Sequence, residues 1–166
     1  IGEDEKVILV IGGSLGAKSI NEAVIKNWEK IIADEKIKLF WGTGKDNFEE
    51  DTYRMKNFGN SVVKPYFNNV ADIMSASDLV ICRAGASTIS ELIQLEKPSV
   101  LIPYDFVGQK ENADVLEYVN GAKIFTNETA EEAIDEALSI VGQASMLEFM
   151  SENVRTLKKG NSAEII

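Results

Sequence analysis

Apolar and polar positions change period repeatedly along this chain. Residues 6–11 (KVILVI) form one continuous apolar run rich in β-branched side chains, the pattern of a strand buried on both faces of a parallel sheet. Gly12-Gly13-Ser14-Leu15-Gly16 breaks the run, and a helical period follows over residues 17–33. A second strand is predicted over 37–41, ending in Gly42-Thr43-Gly44, then a helix over 46–57. Residues 61–64 read as a third strand stopped by Pro65, and 70–76 as a short helix with Ala71, Met74 and Ala76 inward. The fourth strand is placed at 78–82 and the next helix at 86–95. The fifth strand covers 99–102 and ends at Pro103; a loop then runs to Gly108, followed by a helix to about 119. A sixth short strand at 122–125 precedes helices at 130–141 and 145–157, and Gly160 is expected to break the chain before a stub at 162–166.

Strand and helix therefore alternate five or six times. The order predicts an α/β fold, a Rossmann-like parallel sheet with helices on both faces and right-handed crossovers. Ligands on such sheets sit at the carboxyl ends of the strands, near the point where strand order reverses. Attention falls on the loops after Ile11, Trp41, Lys64, Cys82 and Ile102.

The chain has 166 residues, enough for one domain that buries about 70% of its unfolded surface without disulfide or metal. Its hydrophobic fraction, 45%, with 27% charged residues, is that of a soluble globular protein, and no apolar run approaches a membrane span. The opening Ile1-Gly2-Glu3-Asp4-Glu5-Lys6 is acidic and does not read as a signal peptide; the missing initiator Met points to a processed chain or a fragment. Cys82, the single cysteine, fits a reducing, cytoplasmic setting and reads as a small core residue within Leu79-Val80-Ile81-Cys82.

The net charge of −10 argues against nucleic acid as a partner and against electrostatic docking on anionic lipid. An anionic ligand must then be held by local devices such as helix N-termini. No histidine is present, which excludes within this chain a Ser-His-Asp triad, a Cys-His pair and a His-ligated metal.

Gly12-Gly13-Ser14-Leu15-Gly16-Ala17-Lys18-Ser19 follows the first strand and opens a helix, a setting that suits a phosphate. The run misses a Walker A loop because Ala17 stands where a glycine is needed, and no strand ends in a Walker B aspartate: Asp78 begins its strand and Asp105 lies beyond Pro103. The G-G-x-x-G spacing is not a dinucleotide fingerprint either, and a tight turn without ligand stands as the alternative to a phosphate seat.

Cys82-Arg83-Ala84-Gly85-Ala86-Ser87-Thr88-Ile89-Ser90-Glu91 is a second loop of small residues opening a helix. Thr88-x-x-Glu91 fits a capping box, in which Glu91 serves its own helix; equally, Glu91 has the lone pairs to accept from both hydroxyls of a ribose. Arg83 suits a phosphate or a structural ion pair. Gln109 and Asn112 carry amides suited to sugar hydroxyls, or to capping the helix they begin.

Taken together and in order, GGSLGAKSIN (12–21), WGTGK (41–45), YFNNVADIMSASDLVICRAGASTISEL (66–92), KPSVLIPY (97–104) and QKENA (109–113) resemble the MurG family, across most of the chain. That family transfers N-acetylglucosamine (GlcNAc) from UDP-GlcNAc to lipid-linked muramyl-pentapeptide in peptidoglycan synthesis. The resemblance implies one half of a GT-B glycosyltransferase. Residues 1–166 would be its C-terminal, UDP-sugar-binding domain, the lipid-linked acceptor being held by an N-terminal domain not in this chain, at the cytoplasmic face of the bacterial plasma membrane.

Carried over residue by residue, the resemblance puts Ser14, between Gly13 and Gly16, at the phosphate, and the backbone of Phe67 at uracil. It gives Ala86, Ser87 and Thr88 to the pyrophosphate, Glu91 to the ribose and Gln109 to the sugar ring. It implies an inverting transfer with no metal or other cofactor and with the base outside this chain. Two positions depart from the family: Phe67 replaces a smaller aliphatic residue, and Gly108 replaces a polar one. Two other readings remain: the donor half of a relative with another lipid acceptor, and a stand-alone UDP-sugar-binding subunit. An exposed apolar face around Trp41, Tyr66 and Phe106 would mark a partner surface for the latter.

Overall fold

A computed structural model describes residues 4–12, 17–55, 57–105 and 108–165, with side chains to Lys158. Six parallel strands form one sheet: β1 (Lys6–Ile11), β2 (Ile37–Gly42), β3 (Val62–Lys64), β4 (Leu79–Cys82), β5 (Ser99–Leu101) and β6 (Ala122–Ile124). Their spatial order is β3-β2-β1-β4-β5-β6. The chain builds outward from β1 through β2 to β3, then returns to lay β4 against the other side of β1, pairing Ile8 with Leu79 and Val10 with Ile81. The reversal of order thus lies between β1 and β4, where doubly wound sheets seat their ligands.

The helices are α1 (Lys18–Lys26), α2 (Trp28–Ala33), α3 (Phe48–Tyr53), α4 (Val70–Ala76), α5 (Ala86–Gln94), α6 (Gln109–Tyr118), α7 (Ala130–Val141) and α8 (Ala144–Ile165), with a 3-10 turn at Asn127–Thr129. Strand residues alternate between two cores, as the period of two requires. Ile8, Val10, Leu39, Trp41, Leu79 and Ile81 face Ile20 and Val24 of α1 and Ile134 and Ala137 of α7. Leu9, Val80, Cys82 and Leu101 face Met74 of α4, Leu92 of α5, Leu116 of α6 and Val154 of α8. Both faces are covered at the centre of the sheet, which is why β1 from Val7 to Ile11 and β4 read as unbroken apolar runs.

Four local expectations are corrected. The helix expected over 17–33 is two helices divided at Asn27, whose amide donates to the carbonyls of Ala23 (2.9 Å) and Glu131 (3.4 Å). On α4 the buried residues are Ile73 and Met74, while Ala71 and Ala76 are exposed. Gly160 does not break the chain, because α8 runs through it to Ile165; one glycine costs a helix only about 1 kcal/mol. Trp41 is fully buried, with its indole N–H donating to Asn21 Oδ1 (2.9 Å), so it forms no exposed partner surface. Tyr66 is exposed, and Phe106 lies outside the described residues.

Candidate functional site

The two helices that follow the central strands begin alike. α1 starts after Ala17, with no side-chain cap and no acidic residue in its first turn. α5 starts after Gly85 and shares both features. By contrast α2, α3, α4, α6 and α7 each carry Asp or Glu in the first turn; α8, which does not follow a strand, also lacks an acid there. The first backbone bond of α5 runs from Ile89 N–H to Gly85 C=O (2.9 Å), which leaves the N–H groups of Ala86, Ser87 and Thr88 without a partner among the described residues. Both starts lie at carboxyl ends of neighbouring strands, so their positive dipole ends share one edge of the sheet. Gly13, Ser14 and Gly16 lie outside the described residues; Gly12 before them is buried.

The capping box is overturned by this start. Gly85 is the N-cap, Thr88 already sits at the third helical position, and Glu91 lies a turn deeper, beyond reach of the cap. Glu91 is partly buried, and among the described residues its carboxylate makes no hydrogen bond or ion pair. Its charge reaches Cys82 nonetheless: burial first, and Glu91 second, push the Cys82 thiol up to about 12, so that it stays an inert core group.

Gln109 and Asn112, one turn apart on α6, hold the backbone ahead of α5. Gln109 Oε1 accepts from the N–H of Ala84 (2.9 Å) and more loosely from that of Tyr104 (3.3 Å). Asn112 Nδ2 donates to the carbonyl of Ala84 (3.0 Å). Neither amide caps α6; that role falls to Glu111, which accepts from Gly108 N–H (3.1 Å). Gly108 has φ of 99°, a backbone state that a side chain resists, so the position that departs from the family pattern is one where this backbone requires glycine. With Oε1 occupied, the Nε2 of Gln109 remains as a donor and lies beside Gly85, 3.7 Å from where a Cβ would stand.

An apolar cleft of about 240 Å³ opens at the carboxyl ends of β1, β2 and β3, between Ile11, Gly12, Gly42, Gly44, Tyr66 and Phe67. Gly44 turns the chain with φ of 88° and donates to Pro65 C=O (2.8 Å). Phe67 is 9% exposed, its ring set edge-on to Phe40 at 6.2 Å. Its backbone N–H and C=O bond nothing among the described residues. A flat heterocycle with one donor and one acceptor on an edge has matching partners there. Lys45 lies over the Tyr66 ring at 4.9 Å, at the mouth of the cleft.

The structure also brings together residues that the sequence did not connect. Arg83, 7% exposed, donates through Nη1 to Ile102 C=O (3.0 Å) and Asn127 Oδ1 (2.6 Å) and through Nη2 to Ser19 Oγ (3.2 Å). It stacks on Tyr104 at 4.0 Å. Among the described residues Arg83 makes no ion pair. No local pattern could have linked Ser19 to Asn127, 108 residues away. Among the described residues, no group of three or more Cys, Asp or Glu side chains is placed to hold a metal ion.

A six-stranded parallel sheet with two open helix starts at its reversal point is a Rossmann-like domain of the GT-B glycosyltransferase type. The sequence profile of the glycosyltransferase family 28 C-terminal domain matches residues 7–164, and the chain belongs to that family. A relative from Fusobacterium nucleatum is 46% identical over the full chain, which covers 47% of that protein. It is named UDP-N-acetylglucosamine–N-acetylmuramyl-(pentapeptide) pyrophosphoryl-undecaprenol N-acetylglucosamine transferase. A relative of the same name from Parabacteroides distasonis is 35% identical, again over the full chain and 46% of its own length.

The crystal structure of Acinetobacter baumannii MurG superposes with a TM-score of 0.79 at 26% identity, over 94% of this chain and 46% of that one. The C-terminal CMP-Kdo binding domain of WaaA from Acinetobacter baumannii shares the fold, with a TM-score of 0.71 at 14% identity, over 93% of this chain and 89% of that one. The chain spans about half the length of the curated relatives it matches.

Proposed function

We propose that this chain is the donor-binding domain of a MurG-type transferase and binds UDP-GlcNAc at the carboxyl edge of its sheet. The observation that carries the reading is the pairing of two uncapped, acid-free helix starts, α1 and α5, beside an apolar cleft with open backbone groups at Phe67. Uracil enters that cleft and pairs with the Phe67 backbone. The Glu91 carboxylate, unpaired among the described residues, accepts from the ribose hydroxyls. The N–H groups of Ala86, Ser87 and Thr88 receive the diphosphate, together with Gly13, Ser14 and Gly16 of the glycine loop. Gln109 donates through Nε2 to a hydroxyl of the sugar ring.

In the transfer, the bond between the sugar C1 and the diphosphate oxygen breaks, and UDP departs with the electron pair. Donors aimed at that growing charge lower the barrier most, as in any oxyanion hole. This chain supplies leaving-group stabilisation and donor positioning. The acceptor, a lipid-linked muramyl-pentapeptide, and the base that takes its proton belong to a second domain. The working place is the cytoplasmic face of the bacterial plasma membrane; among the described residues no helix is long and apolar enough to cross a membrane.

Titration calorimetry of the chain with UDP, UDP-GlcNAc and ATP tests the proposal. Both uridine ligands are expected to bind and ATP to bind more weakly than either. Tighter binding of ATP than of UDP overturns the reading.

A further inference from the structure

A buried charge is costly and is normally met by a counter-charge. Arg83 is met by a carbonyl, an amide, a hydroxyl and the side chain of Tyr104 instead, and its Nε has no partner among the described residues. Burial pulls its guanidinium below the ordinary value; Tyr104 opposes this, as does the field of Asp105, with which Arg83 forms no ion pair. An arginine nevertheless stays protonated at working pH.

Its position matters as much as its charge. Arg83 follows β4 directly and precedes the first residue of α5 by three positions, while its Nη2 holds Ser19 in the first turn of α1. One cation thus stands at the root of two helix starts whose dipole ends carry the same sign, with no acid in either first turn. These like-signed features, with Lys18 beside them at the start of α1 and the field of Asp105 opposing, repel one another, and a ligand with several negative charges relieves that repulsion more than one with a single charge.

We propose that Arg83 is a positioning residue for the diphosphate: it ties the starts of α1 and α5 into one edge and makes that edge select ligands by phosphate charge. The proposal rests on the reading of that edge as the diphosphate seat. Arg83 acts through the two turns and touches no reacting atom.

The test compares UDP with uridine by calorimetry for the unaltered chain, Arg83→Gln and Asn127→Asp, with folding checked by thermal unfolding. Arg83→Gln is expected to lower the ratio of UDP to uridine affinity about tenfold while uridine affinity stays within about twofold. Asn127→Asp keeps every contact but places a carboxylate on Nη1. It is expected to melt no lower than the unaltered chain and yet to lower the same ratio about fivefold. That readout stands even if Arg83→Gln does not fold, because a purely structural Arg83 predicts no change in the ratio. An unchanged ratio in either folded variant, or an equal loss of UDP and uridine, overturns the proposal and leaves the donor-site reading intact. Failure of the unaltered chain to prefer UDP over uridine overturns both.

Discussion

Gln109 and Ala84 are joined across 25 residues by a 2.9 Å hydrogen bond from the Ala84 N–H to the Gln109 side chain. The bond divides the amide in two. Its oxygen serves the fold, by fixing the peptide that leads into α5, and its nitrogen is left over for a ligand. A residue so placed transmits the docking of α6 directly to the open start of α5.

The division predicts different losses for different substitutions. Gln109→Ala strands a part-buried N–H and is expected to cost about 1–3 kcal/mol of stability, seen as a lower melting temperature. Gln109→Glu keeps the acceptor and removes the donor. The added charge repels UDP and UDP-GlcNAc alike, so the ratio of their affinities is the readout. We expect that ratio to fall about threefold or more with little change in melting. A ratio that stays constant would remove Gln109 from the sugar.

Glu91 offers a cleaner separation, because among the described residues it caps nothing. Glu91→Ala is expected to change stability by no more than about 0.5 kcal/mol, the usual range for a side chain without partners. UDP affinity should nevertheless drop about tenfold, as expected when a carboxylate's charged hydrogen bonds are lost, while 2′,3′-dideoxy-UDP, which lacks both hydroxyls, should bind as before. Equal losses for the two nucleotides in calorimetry would dismiss the ribose role.

At Phe67 the expectation concerns the backbone and not the ring. Phe67→Leu removes the edge-on contact with Phe40 and is expected to cost roughly 1–2 kcal/mol of stability. Because the N–H and C=O stay in place, UDP affinity should remain within about threefold. Conversely, UDP methylated at N3 can no longer donate to a carbonyl and should bind at least about tenfold more weakly. Strong loss in the leucine variant with tolerance of the methylated ligand would reverse this assignment.

Much of the fold was legible because parallel strands buried on both faces leave apolar runs, continuous in β1 from Val7 to Ile11 and in β4, and broken only by Lys38 in β2. The loops that build the site followed from strand order alone. What escaped was decided by contacts distant in sequence. Asn27 divides α1 from α2 partly through a carbonyl on α7, and Arg83 finds Asn127 only once β6 has been laid beside β5. Thr88 and Glu91 carry the spacing of a capping box, but Gly85 in an extended conformation starts the helix three residues earlier, and local propensity yields to that geometry.

Asp51 supplies a prediction about pH. It is 5% exposed on α3, and its Oδ2 has no partner among the described residues. Burial raises its carboxyl above the ordinary value, with the charge of Glu22 adding to the effect and that of Arg54 opposing it. A raised value means that the folded state binds this proton more tightly than the unfolded chain does. The fold is therefore favoured below the unfolded value of 3.8 and penalised as pH rises through the folded one. Asp51→Asn removes the penalty and should stabilise the chain at pH 7 by about 1 kcal/mol, the lower end of the cost of an unsatisfied buried group. The gain should shrink as the pH is lowered toward the unfolded value, as the native carboxyl takes up its proton. Urea unfolding of both proteins from pH 4 to pH 8 measures this directly. A gain that grows toward low pH would show that Asp51 is an anion the fold prefers.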